Sequence, residues 1–113
     1  MKRLKKNYCC PVELAMDVLN GKWKVVILAR LKDRSYRYGE LRALIPAMSD
    51  KMLTERLKDL ENAGLVKRNI GIGNVREVAY EITKRGLSAG PALSALWAWG
   101  KELSEELSVN VGD

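Results

Sequence analysis

The chain has 113 residues, of which 47% are hydrophobic and 30% charged, so it suits one soluble domain rather than a disordered or membrane-embedded chain. Its 20 lysines and arginines outnumber 14 aspartates and glutamates, which gives a formal net charge of +6. It contains no histidine, which excludes Ser-His-Asp and Cys-His nucleophile activation and histidine-ligated metals. An enzyme is not excluded, but the usual catalytic groups for neutral pH are missing.

The two cysteines, Cys9 and Cys10, are adjacent, so they supply neither the spacing of a zinc site nor a bridge between distant segments. We therefore expect no metal or other cofactor, and a reducing compartment. The basic start at residues 1–8 runs into no apolar signal region. The longest uncharged run, residues 86–100, is shorter than the roughly 20 apolar residues of a membrane span. These features predict a cytoplasmic protein with no membrane partner.

Two helices are predicted after the basic arm. Pro11 suits the first position of a helix with Cys10 as its N-cap, and Asn20 with Gly21 ends it. This helix is apolar almost all round, which indicates that it is buried on two sides. One small domain does not easily provide that much burial. The next helix, residues 22–31, has an apolar centre and is predicted to be central and buried.

A helix-turn-helix is predicted next. After a turn at residues 33–35 and a short strand at 36–38, apolar residues recur at helical spacing and stop at Pro46. Ser49 is a good N-cap for a second helix, and Gly64 is its expected end. The residues at helical spacing in the first helix are Tyr38, Leu41, Leu44 and Ile45, and the inward stripe of the second is Leu53, Leu57, Leu60 and Gly64. Two short helices joined through residues 46–48 are typical of this motif.

The remaining elements complete the fold prediction. Strands at residues 66–70 and 75–82 flank a glycine-rich hairpin tip at 71–74, and Thr83 caps a further helix. Pro91 interrupts that helix and leaves a last one over residues 91–107. We predict a mainly α (α+β) winged helix-turn-helix with a small antiparallel wing sheet and N- and C-terminal dimerisation helices. The arm is residues 1–8, the domain 9–107 and the tail 108–113.

The second helix of the motif is the candidate recognition helix. If its leucines face inward, charged residues face outward, and residues near its start can reach base edges in a major groove. Ser49, Lys51, Thr54 and Glu55 are candidates for base or phosphate contacts, Arg56 and Lys58 for phosphate, and Lys67, Arg68 and Arg76 for contacts from the wing. The alternative is an ordinary solvated helix and hairpin. The combination favours double-stranded DNA as the partner.

Several segments resemble the HxlR family of bacterial and archaeal transcription regulators. They are CPVE at 10–13, GKW at 21–23, IL at 27–28, YGELR at 38–42, MSDKMLT at 48–54, RLKDLE at 56–61, GLV at 64–66, YEITKRG at 80–86 and WG at 99–100. The match runs in order over roughly residues 9–103. The resemblance implies a homodimer on a palindromic operator, with the terminal helices as the interface. Ala79, where the family often has Glu, and the glycine-rich wing tip are departures that concern wing contacts.

A twofold dimer would cover the two over-hydrophobic helices and set two recognition helices about 34 Å apart. The predicted interface residues are Val12, Met16, Leu19, Leu93, Leu96, Trp97, Leu103 and Leu107. For Trp97, Trp99 and Leu103 the alternative is the core of the chain itself.

Cys10 matches the position at which some HxlR members sense oxidants or electrophiles. The helix start and nearby Lys5 and Lys6 are expected to lower the pKa of its thiol, and Glu13 to raise it. Cys9 is a candidate resolving thiol, although a vicinal disulfide is strained and an intersubunit bond is the preferred oxidised form. The alternative is a small residue that only caps a dimer helix.

These observations together predict a homodimeric, sequence-specific DNA-binding transcription regulator, more often a repressor than an activator, that responds to thiol oxidation through Cys10. The alternative is a winged-helix module for protein–protein interaction whose basic face is merely solvated. An enzyme is the third interpretation: Glu13 and Asp17 are neighbours on a helix, but without a cleft, metal ligands or a histidine they are better explained as solvated helix charges.

Overall fold

The computed structural model describes residues 4–20, 22–70 and 78–112, and these ranges contain six helices and three strands. The elements are α1 (Pro11–Leu19), α2 (Lys22–Leu31), β1 (Tyr36–Arg37), α3 (Tyr38–Leu44), α4 (Asp50–Asn62), β2 (Val66–Ile70), β3 (Val78–Ile82), α5 (Lys84–Leu87) and α6 (Gly90–Leu107). The strands form an antiparallel sheet of order β1-β3-β2. The predicted winged helix-turn-helix is confirmed, with α3 and α4 as the motif and β2–β3 as the wing.

Local sequence signals set the ends of α4. The Ser49 side chain accepts a hydrogen bond from the Met52 amide at 3.1 Å, as expected of an N-cap. At the other end Gly64 has a φ of +76°, in the left-handed region. The Gly64 amide donates to the Glu61 carbonyl and the Leu65 amide donates to the Leu60 carbonyl, at 2.9 and 3.0 Å. This is a Schellman motif, which requires glycine at its turning point.

A compact junction ties the end of α4 to the start of α5. The Thr83 hydroxyl donates to the Gly64 carbonyl at 2.6 Å and accepts from the Gly86 amide at 3.1 Å. A β-carbon built on Gly86 would lie 2.3 Å from the Leu65 carbonyl oxygen, which is backbone and cannot move aside. The base of the wing and the helix after it are therefore held by close backbone packing.

The core lies between α2, the helix-turn-helix and the sheet. Its fully buried side chains are Ile27, Leu28, Leu31, Leu41, Met48, Leu53, Leu57 and Leu60. Lys24 shares the buried face of α2 and is only 8% exposed, so its aliphatic chain packs against the core. The central position predicted for α2 is thereby confirmed.

In α1 and α6, the burial of one predicted interface residue differs from the prediction. Leu93 was expected to face a partner subunit, but it is 5% exposed and belongs to the core of the chain itself. Trp97 and Trp99 are exposed, so the alternative of core packing is wrong for both. Leu19 and Leu103 are half-buried. The predicted start of the second wing strand, the hairpin tip and Arg76 lie outside the described residues.

No helix within the described ranges is both long enough and apolar enough to cross a membrane. The same ranges hold no cluster of three or more cysteine, aspartate or glutamate side chains arranged to bind a metal ion.

Candidate nucleic-acid interface

Helix α4 divides into a buried and an exposed face. Leu53, Leu57 and Leu60 are buried, whereas Lys51 and Lys58 are exposed. At 100° per residue the two lysines lie on the side of the helix opposite the leucines. Glu55 shares this outer face, and Thr54 is exposed on its flank. The predicted orientation of the helix is confirmed.

A polar network holds α3 against the first turn of α4. The Tyr38 hydroxyl lies 3.1 Å from both the backbone oxygen and Oδ1 of Asp50, and 3.2 Å from Oγ1 of Thr54. Arg42 Nε donates to the same Oδ1 of Asp50 at 2.8 Å. The network fixes the angle between the two helices and places Thr54. Sequence reasoning missed Tyr38, Arg42 and Asp50 as contributors, although all three lie in segments that carry the family resemblance.

The start of α3 is fixed by the Glu40 side chain, which bonds back to the backbone of the N-cap residue Arg37. The Glu40 carboxylate accepts from the Arg37 amide at 2.8 Å and pairs with Arg34 Nη2 at 3.2 Å. The hydrogen bond from the Arg37 amide, followed by the Arg34 guanidinium, holds the pKa of Glu40 below its ordinary value. The turn before the helix-turn-helix is thus set by a carboxylate that stays ionised at neutral pH.

The cations of α4 are not equivalent. Arg56 is half-buried on a flank of the helix, where its Nη2 lies 3.3 Å from Glu55 Oε2 and its Nε lies 3.5 Å from Asp59 Oδ2. Among the described residues neither Lys51 nor Lys58 has an ion pair. Lys51 and Lys58 are therefore the cations of α4 that are available to an anionic partner without breaking an internal bond.

The two wing cations within the described residues lie on opposite faces of the sheet. Lys67 Nζ contacts Glu81 Oε1 at 2.7 Å across the β2–β3 pair, and this hydrogen bond lowers the pKa of Glu81. Arg68 is exposed opposite Tyr80, whose pKa is raised mainly by burial. The side chains of neighbouring strand residues alternate between faces, so one surface of the wing does not present both cations.

Both thiols are exposed at the start of α1, with Cys9 Sγ 3.9 Å from Cys10 Sγ. The pKa of the Cys10 thiol is lowered, first by the backbone N–H of Glu13, then by the Cys9 thiol and the Val12 N–H. The lowered pKa agrees with the position of Cys10 at a helix start. The expected contribution of Lys5 and Lys6 to that lowering is wrong, because neither is among its causes. Lys5 Nζ lies 3.9 Å from Glu13 Oε2, and Glu13 Oε1 accepts from the Cys9 amide at 2.8 Å. The Lys5 and Glu13 side chains therefore pair with each other rather than acting in opposite directions on the Cys10 thiol.

Helices α1 and α6 leave apolar side chains uncovered. Val12 and Met16, four residues apart on α1, are exposed to 68% and 62%. On α6 the exposed apolar side chains are Leu96, Trp97, Trp99 and Leu107. We call Val12, Met16, Leu96, Trp97 and Leu107 the apolar surface. It contains every predicted interface residue except buried Leu93 and half-buried Leu19 and Leu103.

A helix-turn-helix followed by a wing, with charged groups on the outer face of its second helix, defines the winged helix class of regulators. The model of HxlR-like helix-turn-helix proteins matches residues 18–108 of this chain. The chain belongs to that family and is a transcriptional regulator of the helix-turn-helix type, which confirms the resemblance seen in the sequence.

Relatives of known sequence or structure agree with this assignment. An HTH-type transcriptional regulator of Methanothermobacter thermautotrophicus is 40% identical over 95 residues, which are 84% of this chain and 72% of the relative. The redox regulator HypR in its reduced form superimposes with a TM-score of 0.82 at 31% identity, over 89% of this chain and all of HypR. Reduced YodB from Bacillus subtilis gives a TM-score of 0.76 at 32% identity, over 94% of this chain and all of YodB.

Proposed function

We propose that this regulator is a homodimer that binds a palindromic DNA operator through the outer face of α4 and represses transcription. The observation that carries the proposal is the pair of exposed lysines, Lys51 and Lys58, opposite the buried leucine face of α4. Neutralising phosphates with such cations is the main source of affinity for DNA. Repression by occupying an operator needs no surface beyond the one that binds DNA.

The residues of α4 divide between two roles. Ser49, Lys51, Thr54 and Glu55 lie near the start of the helix, where side chains of a recognition helix meet base edges, and Ser49 and Lys51 also reach the adjoining phosphates. Lys58 lies two turns further on and suits a backbone phosphate. Lys67, Arg68 and Arg76 are the proposed contacts from the wing, where Lys67 and Arg68 act from opposite faces of the sheet. Arg56 contacts phosphate only by exchanging its pairing with Glu55 and Asp59.

The apolar surface on α1 and α6 supports the dimer. Exposed apolar patches of this kind mark protein–protein contacts when they are contiguous. In a twofold dimer each protomer contributes the same patch, and two α4 helices lie about one DNA turn apart. Leu93 has no part in this interface because it packs in the core of its own chain.

Cys10 is proposed to make DNA binding sensitive to oxidants. Its thiol is exposed at a helix start that lowers its pKa, and HypR, a structural neighbour, is itself named a redox regulator. In the proposed step two thiols from two protomers form one disulfide, while an oxidant such as diamide accepts the two electrons and two protons. DNA affinity then changes because the bond alters the relation between the protomers.

The test is a fluorescence-anisotropy titration with duplexes from the DNA that flanks the gene, at salt concentrations from about 50 to 200 mM. We expect affinity to fall by two orders of magnitude or more over that range, because several phosphate contacts release counterions. Affinity that does not respond to salt would instead support a winged-helix module for protein–protein interaction.

Two substitutions test the recognition helix. Lys51→Ala should weaken binding to every duplex, whereas Thr54→Ala should mainly reduce the preference for one sequence, each by about 1–3 kcal/mol. Lys84→Ala is the matched control, because Lys84 is an exposed lysine on α5. Wild-type affinity in both α4 variants would contradict the assignment.

The redox proposal is tested separately. Diamide should change the DNA affinity of the wild-type protein and leave Cys10→Ser unaffected. An oxidant that leaves wild-type affinity unchanged rules this mechanism out without touching the DNA-binding proposal.

A further inference from the structure

A shallow groove of about 310 Å³ lies beside the recognition helix, between the first turn of α2 and the N-terminal half of α4. It is lined by Trp23, Ser49, Lys51, Met52, Glu55 and Arg56. Trp23 is the only one of these that does not belong to α4 or its cap, and it lies in the GKW segment, to which the sequence assigned no function. The groove therefore adds a second wall to one side of the candidate DNA interface.

The position of the groove relates it to the sugar–phosphate chain rather than to the bases. Met52 and Arg56 are four residues apart and form one flank of α4, roughly 100° and 140° from Lys51 around the helix axis. When the outer face of a recognition helix enters the major groove, its flanks face the two backbones that border that groove. Trp23 faces the same flank from α2.

The chemistry of the groove suits a phosphate and its sugar. Two cations, Lys51 and Arg56, and one carboxylate, Glu55, line it, so its charge is positive. Arg56 Nε is buried and makes no hydrogen bond within the described residues, although it lies 3.5 Å from an Asp59 oxygen. Its Nη2 donates to Glu55 Oε2 in a long hydrogen bond of 3.3 Å, so the guanidinium keeps N–H groups for which an anion can compete.

The remaining walls supply a hydroxyl and an apolar surface. The Ser49 oxygen accepts from the Met52 amide at 3.1 Å, which leaves its O–H able to donate to an anion. Met52 is 40% exposed, and Trp23 is half-buried against the core. A deoxyribose next to the phosphate would pack on these two side chains.

We propose that this groove binds one phosphate of the DNA backbone, with Lys51 and Arg56 as its cationic partners and Trp23 and Met52 against the adjoining deoxyribose. The inference rests on the proposed function, since it concerns the same DNA. It assigns Trp23 and Met52 a positioning role: they fix how α4 is seated in the groove without reading a base.

Met52→Glu tests the proposal by placing a second carboxylate in the groove at an exposed position. Asn62→Glu is the matched control, because it adds the same charge at the exposed far end of the same helix. We expect Met52→Glu to weaken binding about tenfold, equally for a flanking-DNA duplex and a mixed-sequence duplex of the same length, and Asn62→Glu about twofold or less. Equal affinities for wild type and Met52→Glu overturn the proposal. A loss confined to the flanking-DNA duplex also overturns it, since the contact would then read bases.

A second measurement places Trp23 directly. The protein has three tryptophans, so ¹⁹F NMR of the chain labelled with 5-fluorotryptophan gives three signals, assigned with single Trp→Phe variants. A mixed-sequence duplex should shift the Trp23 signal, and about 10 mM inorganic phosphate should not, because free phosphate lacks the sugar and the polyanion. An unmoved Trp23 signal at saturating duplex overturns the inference, as does an equal shift with inorganic phosphate. In either case measured duplex binding leaves the proposed function intact, whereas a wild-type protein that binds neither duplex overturns both.

Discussion

Helices α4 and α1 are both amphipathic, but the chain buries their apolar side chains to different extents. Helix α4 buries three leucines completely and turns charged side chains outward. Helix α1 has no buried residue and exposes Val12 and Met16. Helix α4 therefore buries its apolar face within one chain and offers a polar face to a charged partner. Helix α1 packs Val18 and Leu19 against the core but leaves Val12 and Met16 uncovered, and a second copy of the chain would cover them.

The comparison is tested most strongly by shortening an apolar side chain in each helix. Leu57→Ala should lower the free energy of unfolding by about 2–5 kcal/mol, because it removes buried contacts and leaves a cavity. Met16→Ala should cost less than about 1 kcal/mol within a single protomer, since that side chain is exposed. Urea denaturation at a protein concentration below the dissociation constant of the proposed dimer measures both changes in the free energy of unfolding. Similar costs for the two variants would show that α1 is as well packed as α4.

Adding a charge to the same two helices distinguishes their partners. Met16→Glu should weaken self-association about 100-fold or more, since it would bury an unpaired carboxylate in the interface. Asn62→Glu on α4 should leave the sedimentation coefficient unchanged, because that position lies outside the apolar surface. Analytical ultracentrifugation at a series of concentrations gives both results. A Met16→Glu protein that sediments like the wild type would contradict the proposed interface.

The polar network at the start of α4 is expected to matter for DNA binding as well as for folding. Tyr38→Phe removes the hydroxyl that joins α3 to Asp50 and Thr54. The free energy of unfolding should fall by about 1 kcal/mol. DNA affinity should also fall by about three- to fivefold, because Thr54 loses its orientation. Tyr36→Phe is the control, because no hydrogen bond of the Tyr36 hydroxyl contributes to this network. DNA affinity that changes only as much as Tyr36→Phe would show that the network does not position α4.

The smallest expected effect concerns the start of α1. Because the Cys10 pKa is lowered, its thiolate forms at lower pH than that of an ordinary cysteine, whose reference pKa is 9.0. Alkylation of Cys10 by iodoacetamide, followed by peptide mass spectrometry, should show a midpoint below that of an unstructured cysteine peptide. The same midpoint for both would mean that the helix start does not activate this thiol.

Features set by neighbouring residues could be predicted from the sequence, and features set by packing could not. Ser49, Gly64 and Thr83 occupy the cap positions that their local chemistry favours. The contact of Tyr38 with Thr54 joins residues 16 positions apart and depends on the angle between two helices. The periodicity of α6 placed Leu93 with Leu96, but only the packing of α6 on the core decides which of them is buried.

Charged side chains show the same division. The outward direction of Lys51 and Lys58 follows from the leucine spacing of α4. The pairing of Arg56 with Asp59, and the contact between Lys5 and Glu13, depend on rotamers that no spacing determines. Lys24 interrupts the apolar pattern of α2, yet it is almost wholly buried, because a long aliphatic chain can fill a core position while its ammonium reaches water.

The Gly64–Thr83–Gly86 junction bears on how the interface of a dimer would set the spacing of its two DNA-binding helices. The end of α4 is bonded to the start of α5, and α6 begins three residues after α5, so a short segment connects the candidate recognition helix to the helix that carries much of the apolar surface. In the proposed dimer, a small rotation between the two α6 helices would change the distance between the two α4 helices. The operator length that such a dimer accepts is therefore a readout of its interface, and a regulator built in this way can be switched off without any change in the residues that touch a base.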